Sequence, residues 1–516
     1  MSGSLSAIKA EIELALRARQ PLMALVTHEE ERALRGLLIP IAEQWRGGRI
    51  YAWSSTEGYR GLTPQADPDA LAFAAPEPAS ALAVVDDAAD PALFVLLDFH
   101  HYLDNAALLR KLRDLAVKLP ATGKHVICLG PRFRTPEDLE KCLEVFDLPP
   151  PDARELAETL AGLTAHLGPS KVTLTALGRE RLLQAMLGLT LHEADSVLAR
   201  AAVRDGALSD EAVEMVLAEK RQIVRRAGLL EFYQSPDSLE DVGGLANLKQ
   251  WLSQRYDAFS GEAREYGLPQ PKGILCLGVQ GCGKSLVARS TAREWRMPLL
   301  RMDVGRLFGR YIGESEAQIR RALRTAESVA PCILWVDEIE KGFAGAASSG
   351  VGDSGVSARV LATFLTWMQE KSAPVFVFAT ANQIRNLPPE LLRKGRFDEL
   401  FFVDIPTDGE REAIFAVHLR KRRRQPADFD LSATAAATAG FSGAEIEQVI
   451  NEALHQAYAD GRREPTTADL LAAAATLIPL SVTLREPIEA MRRWAKTRAR
   501  PASPRLASSR PPEAGR

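Results

Sequence analysis

The stretch Gly278-Val279-Gln280-Gly281-Cys282-Gly283-Lys284-Ser285 decides how this chain is read. Its pattern is G-x-x-x-x-G-K-S, in which glycines let backbone N–H groups turn toward phosphates. Lys284 supplies a cation for the β- and γ-phosphates of a nucleotide, and Ser285 supplies a hydroxyl for Mg²⁺. The apolar run Gly273-Ile274-Leu275-Cys276-Leu277 precedes the motif, and the helix-prone run Leu286-Val287-Ala288-Arg289 follows it. That is the strand–loop–helix setting the chemistry needs. The competing reading is a glycine-rich turn followed by a chance Lys-Ser.

Working outward, Cys332-Ile333-Leu334-Trp335-Val336-Asp337-Glu338 lies about fifty residues further on. An apolar run ending in two acids predicts a buried parallel strand with its carboxylates at the C-terminal edge, where α/β sheets take ligands. Asp337 is the expected holder of Mg²⁺, through water. Glu338 is the expected base that orients and deprotonates the attacking water. Phe376-Val377-Phe378-Ala379-Thr380-Ala381-Asn382 predicts another buried strand, and Leu391-Leu392-Arg393-Lys394-Gly395-Arg396-Phe397-Asp398 follows it.

Together these segments resemble the clade of AAA ATPases that contains the NSF-, katanin- and FtsH-type proteins. The resemblance implies that Asn382 polarises the attacking water. It also implies that Arg393 and Arg396 are arginine fingers reaching a neighbouring subunit's nucleotide, so that the active unit is a ring, a homo-hexamer. A planar, permanently charged guanidinium suits charge developing on a transferring phosphoryl group. Asp241-Val242-Gly243-Gly244-Leu245 resembles the segment that opens such modules and lies against adenine. Gly440-Phe441-Ser442-Gly443-Ala444-Glu445-Ile446 resembles the clade's lid motif. The implied nucleotide contacts are Gly278 to Ser285, Leu286, Asp241, Gly243, Gly443 and Ala444, with ATP and Mg²⁺ as ligands. Gly309-Arg310-Tyr311-Ile312-Gly313-Glu314 resembles the first pore loop of threading AAA proteins, with Tyr311, Ile312 and Gly313 gripping polypeptide by apolar contact. Local packing of Tyr311 is the alternative. The Gly/Ala/Ser-rich loop from Gly345 to Gly355 could line the same pore.

Length 516 suggests about three compact units. Hydrophobic content of 46% and charged content of 25% are ordinary for a soluble globular chain, and a formal charge of −3 gives no nucleic-acid footprint. No apolar run reaches the roughly 18 residues of a membrane span, and the N-terminus lacks an export signal. The five cysteines form no C-x-x-C pair, which fits a reduced, cytoplasmic protein. Cys282 reads as a small filler in the phosphate loop; the sharper reading is a redox-active thiol activated by the helix N-terminus. The segments beginning at His28-Glu29 and His192-Glu193 both fail the H-E-x-x-H pattern, so no zinc protease motif is present.

In the first half, Leu22–Val26, Phe94–Asp98 and His125–Leu129 predict buried strands alternating with helices, a parallel α/β sheet. Asp98 ends its strand as a Mg²⁺-binding acid would, yet Thr27-His28-Glu29-Glu30 stands where a phosphate loop belongs. The expectation is a P-loop-like domain without the phosphate grip; an unrelated α/β domain is the alternative. The predicted layout is α/β throughout. It comprises this degenerate domain (1–150), a helical lid-like segment (151–235), the AAA large subdomain with its parallel sheet (236–406), the AAA helical lid (407–498) and a disordered tail (499–516). The whole layout, with Glu231-Phe232-Tyr233 and Arg492-Arg493-Trp494-Ala495, resembles the single-AAA proteins of algal plastids, cyanobacteria and other bacteria. The expected function is an ATP-hydrolysing ring that remodels or unfolds a protein client, with no membrane and no clear nucleic-acid partner. The alternatives are a non-threading regulator resembling the AAA activases of carbon-fixing enzymes, and a scaffold gated by ATP.

Overall fold

Runs such as Leu93–Leu97 and Cys332–Val336 are apolar at every position because helices cover both faces of their sheets. The computed structural model describes residues 5–45, 47–67, 76–233, 236–259, 263, 265–307, 314–343, 354–393 and 395–504. The chain divides into two units, Met1–Val216 and Leu217–Arg516.

The first unit holds a six-stranded sheet. Its strands are β1 (Leu22–Val26), β2 (Ile50–Ser54), β3 (Gly58–Gly61), β4 (Leu93–Leu97), β5 (His125–Gly130) and β6 (Leu143–Asp147), in the order β3-β2-β4-β5-β1-β6. All neighbours are parallel except the β2–β3 hairpin. Alternate side chains serve opposite cores. Leu22, Phe94, Leu96 and Val126 pack with Trp53 and Leu115 on one face, while Met23, Leu25, Val95 and Ile127 pack with Ile12 and Leu16 on the other. Beyond the sheet come helices Ala153–Leu167, Ala176–Met186 and Leu191–Asp205. The first and third begin with capping boxes, Asp152/Glu155 and Thr190/Glu193. Leu182, Met186 and Leu189 are buried, while Leu183 and Leu187 are only partly covered.

The second unit holds a seven-stranded sheet. Its strands are β7 (Leu230–Tyr233), β8 (Gly273–Gly278), β9 (Leu299–Met302), β10 (Cys332–Val336), β11 (Val375–Ala381), β12 (Glu399–Val403) and β13 (Arg500–Pro501), in the order β13-β12-β8-β11-β10-β9-β7. Only β7 runs antiparallel to its neighbour. A separate core built on Phe415, Phe441, Ile446, Val449, Ile450 and Leu470 holds the lid helices Asp408–Lys421, Leu431–Ala437, Gly443–Ala459 and Thr467–Thr476.

Three of the expected boundaries move. The segment 151–235 does not stay with the first unit to its end, because Val224 and Leu230 enter the core of the second sheet and β7 pairs with β9. The lid does not extend to 498. Helix Arg485–Arg498 is amphipathic, and its Ile488 packs against the β8–β11 side of the second sheet. Nor is the tail structureless from 499. Arg500–Pro501 pairs with Phe401–Phe402, Ala502 is fully buried, and its N–H donates to the Phe402 carbonyl at 2.9 Å. The edge of β12 offers free backbone groups, and a short segment satisfies them whatever its composition. The remaining tail residues, 505–516, lie outside the described residues.

Candidate functional site

The strand β8 delivers the phosphate-loop motif at its C-terminal end. Gly278 is required there because an added Cβ would lie 1.9 Å from the Val403 carbonyl oxygen. Gly281 and Gly283 have φ of 78° and 91°, a left-handed backbone that glycine adopts without strain. Helix Lys284–Glu294 starts directly after them. Lys284 is buried, and its ammonium donates to the carbonyls of Gly278 (2.9 Å) and Val279 (2.7 Å). Burial holds that ammonium below the usual lysine range. Val279 is buried and Leu286 half-buried against the sheet core; Gln280 is exposed.

Around this loop the structure joins side chains from three strands' ends. Ser285 Oγ donates to Asp337 Oδ1 at 3.0 Å, and Thr380 Oγ1 donates to the same oxygen at 2.6 Å. The Glu338 N–H donates to Thr380 Oγ1 at 3.0 Å. Asn382 Nδ2 donates to Glu338 Oε1 at 3.0 Å, while Lys341 Nζ lies 2.5 Å from Glu338 Oε2. Glu338 itself has φ of 50°, uncommon for a residue with a side chain. Beneath it Glu340 is buried and accepts the Asn382 N–H at 2.8 Å; burial pushes its carboxyl above the usual range. Thr380, Glu340 and Lys341 were not singled out by the sequence. Lys341 alone had a local signal, standing three residues after Glu338, one helical turn away.

The lid closes on the loop through small residues. The Ala444 N–H donates to the Gly281 carbonyl at 3.0 Å, and an added Cβ on Gly443 would stand 3.2 Å from that oxygen. Burial pushes the Cys282 thiol up to about 12, the opposite direction to the activation a helix N-terminus would give. Asp241 uses its carboxylate on Ser238, accepting from its N–H at 2.7 Å and its hydroxyl at 2.9 Å, which holds the carboxyl below the usual range. Gly243 permits contact with the lid, since a Cβ there would fall 2.5 Å from the Ile414 side chain. Next to it Glu410 accepts from the Leu245 N–H (3.0 Å) and from Ser503 Oγ (2.5 Å). These bonds outweigh the opposing effect of burial, and the Glu410 carboxyl sits below its usual range. Arg393 is exposed, and Arg396 donates to the Glu390 carbonyl. Tyr311, Ile312 and Gly313 lie outside the described residues, as do residues 344–353 of the second loop.

The donor set suits a magnesium nucleotide: free-turning glycine amides, a buried ammonium, and a hydroxyl and carboxylate already in contact. Residues 274–405 match the family described as ATPase family associated with various cellular activities (AAA), and residues 428–472 match the AAA+ lid domain. Residues 8–148 and 153–227 match the N-terminal and second domains of SpoVK-like AAA ATPases. The uncharacterized AAA domain-containing protein ycf46 of Guillardia theta is 41% identical over 488 residues, 94% of either chain. This chain belongs to the ycf46-type AAA proteins. The ycf46 protein of Pyropia yezoensis is 39% identical over 96% of this AAA protein and 99% of its own length. The ATP-dependent zinc metalloprotease FtsH of Acidothermus cellulolyticus is 35% identical over 47% of this chain and 37% of its own. Membership of the AAA family implies ATPase activity. Among the described residues no single helix is long and apolar enough to cross a membrane.

Proposed function

We propose that this AAA protein is a homo-hexameric ring in the cytoplasm that hydrolyses ATP and uses the cycle to remodel a protein client. One observation carries the reading. A continuous chain of hydrogen bonds runs from Ser285 through Asp337 and Thr380 to Glu338 and Asn382. The phosphate-binding residues Gly278 to Ser285, with Leu286, would hold the nucleotide. Ser285 and Asp337 would hold Mg²⁺, which when bound neutralises charge on the phosphoryl oxygens. Glu338 accepts the water proton; Asn382 and Lys341 fix its two carboxylate oxygens in direction. Gly443 and Ala444 bring the lid to the loop, so that lid movement and phosphate binding are mechanically linked. Asp241 and Gly243 set the path of the segment beneath the lid. The five cysteines are all free, which fits a reducing compartment.

The ring reading rests on Arg393 and Arg396. Replacing either with Ala should leave nucleotide affinity nearly intact and lower turnover by a factor on the order of 10³. Mixing such subunits with Lys284→Ala subunits should restore part of the activity. Turnover per chain that stays constant down to strictly monomeric concentration would contradict action across subunits. Unfolded protein that stimulates the ATPase supports threading through Tyr311, Ile312 and Gly313. Stimulation by a single client supports the activase-like regulator, and a slow client-independent ATPase supports the gated scaffold. Capture with Glu338→Gln in ATP identifies the client.

A further inference from the structure

The first sheet carries its own cluster at the edge where the second sheet gathers its site. Asp98, His100 and His101 follow β4 directly, and their ligand atoms all lie within 4.8 Å of one another. Asp98 has φ of 52°, the left-handed turn that Glu338 has after β10. That turn leads into the 3₁₀ turn Phe99–Tyr102, which carries both histidines. The two imidazoles lie against each other with centroids 4.1 Å apart. His100 Nδ1 stands 3.9 Å from Asp98 Oδ1.

The state of His100 is the informative part. Its side chain is only 12% exposed, and both ring nitrogens are buried with no hydrogen-bond partner among the described residues. A buried imidazole with two unsatisfied nitrogens is destabilising, and buried polar atoms in folded proteins nearly always have a partner. Space has been left beside it. A Cβ on Gly130, at the end of β5, would come within 2.7 Å of His100 Nδ1 and 3.3 Å of Asp98 Oδ1. A carboxylate and two imidazoles converging on one point form the ligand set of three-residue sites for zinc and related ions, which keep further positions for water. The contributing residues are short-range neighbours, so small rotamer changes can draw their ligand atoms to coordination distance.

We infer that Asp98, His100 and His101 bind one divalent transition-metal cation of the zinc class at the C-terminal edge of the first sheet. The test uses untagged, metal-free full-length protein, with Zn²⁺ as the probe, titrated in competition with a chromogenic chelator. Wild type should take up one more zinc per chain than the Asp98→Asn/His100→Ala/His101→Ala variant. Asp98→Asn and His101→Ala each replace an exposed group, and each should weaken that uptake at least tenfold. Zinc should raise the unfolding midpoint of wild type and not that of the triple variant. A wild type that binds no more zinc than the triple variant overturns the assignment. Equal affinity in wild type, Asp98→Asn and His101→Ala also overturns it.

Discussion

The two sheets of this protein share one topology and differ in what fills it. Taken in chain order, the first five parallel strands of each lie second, third, fourth, first, fifth: β2-β4-β5-β1-β6 in the first unit and β9-β10-β11-β8-β12 in the second, where β13 adds a sixth beside β12. After β8 the chain turns on glycines, and among the described residues the buried ammonium is held by the carbonyls of Gly278 and Val279. After β1 the corresponding turn is closed by charge pairs. Glu29 accepts from Arg32 at 2.9 Å and from the Leu191 N–H at 2.7 Å, and Arg32 forks onto Glu155 at 2.8 and 2.9 Å. Arg32 also donates to the Pro149 carbonyl, and its side chain is 4% exposed. One sheet edge is built for an anion to enter; the other already has its anions and cation in place. The difference lies in the loop between strand and helix, while the sheet beneath it is the same.

The largest expected effect separates the two edges by chemistry. Glu338→Gln should retain ATP binding and lower turnover on the order of 10²–10⁴-fold, because a positioned base is neutralised. Steady-state hydrolysis beside binding measured by a fluorescent nucleotide checks both halves, and unchanged turnover would remove β10 from the chemistry. Next, Arg32→Ala leaves two carboxylates of the first unit without their cation. It should destabilise that unit by about 3–5 kcal/mol, read by denaturant unfolding. A change below 1 kcal/mol would mean that the closed edge is not held by those pairs.

Smaller effects test how the second unit is tied together. Ser503→Ala removes a hydrogen bond to the Glu410 carboxylate and should cost about 1–2 kcal/mol. Because Glu410 sits below its usual range when folded, its contribution is present above the ordinary carboxylate range. It is lost as pH falls through the folded value. The Ser503→Ala deficit should therefore shrink in acid; a deficit constant with pH would deny Glu410 its part. The smallest effect concerns Cys282, a residue 9% exposed whose thiol is pushed up to about 12. In the folded protein at pH 8 it should resist iodoacetamide, and mass spectrometry showing rapid labelling at Cys282 would support the redox reading.

The sequence exposed what is local and hid what is made by register. Gly278 to Ser285 is legible because the motif's chemistry is consecutive, and Asp337, Glu338 and Asn382 are legible because strand ends collect ligands. Thr380 reads only as a strand residue; its part arises because β11 lies beside β10, which puts its hydroxyl between Asp337 and the Glu338 N–H. The tail 499–516 reads as disordered from its Pro, Arg, Ser and Ala, yet residues 500–502 pair with or pack on the second sheet. Its docking depends on Phe402 and Glu410, roughly a hundred positions away, which no local pattern reports. The relation of the first sheet to the second was legible as alternating strands and an acid at Asp98. The pairs that close its edge were not, since Arg32, Glu29 and Glu155 look like ordinary helix charges.

The central claim is that one sheet edge per chain takes nucleotide. Equilibrium dialysis of Glu338→Gln with radiolabelled ATP and Mg²⁺ tests it without turnover, and the same measurement on Lys284→Ala removes the buried cation. The account predicts one ATP per chain in the first protein and none at matching concentrations in the second. Two per chain, or one that survives Lys284→Ala, would contradict it.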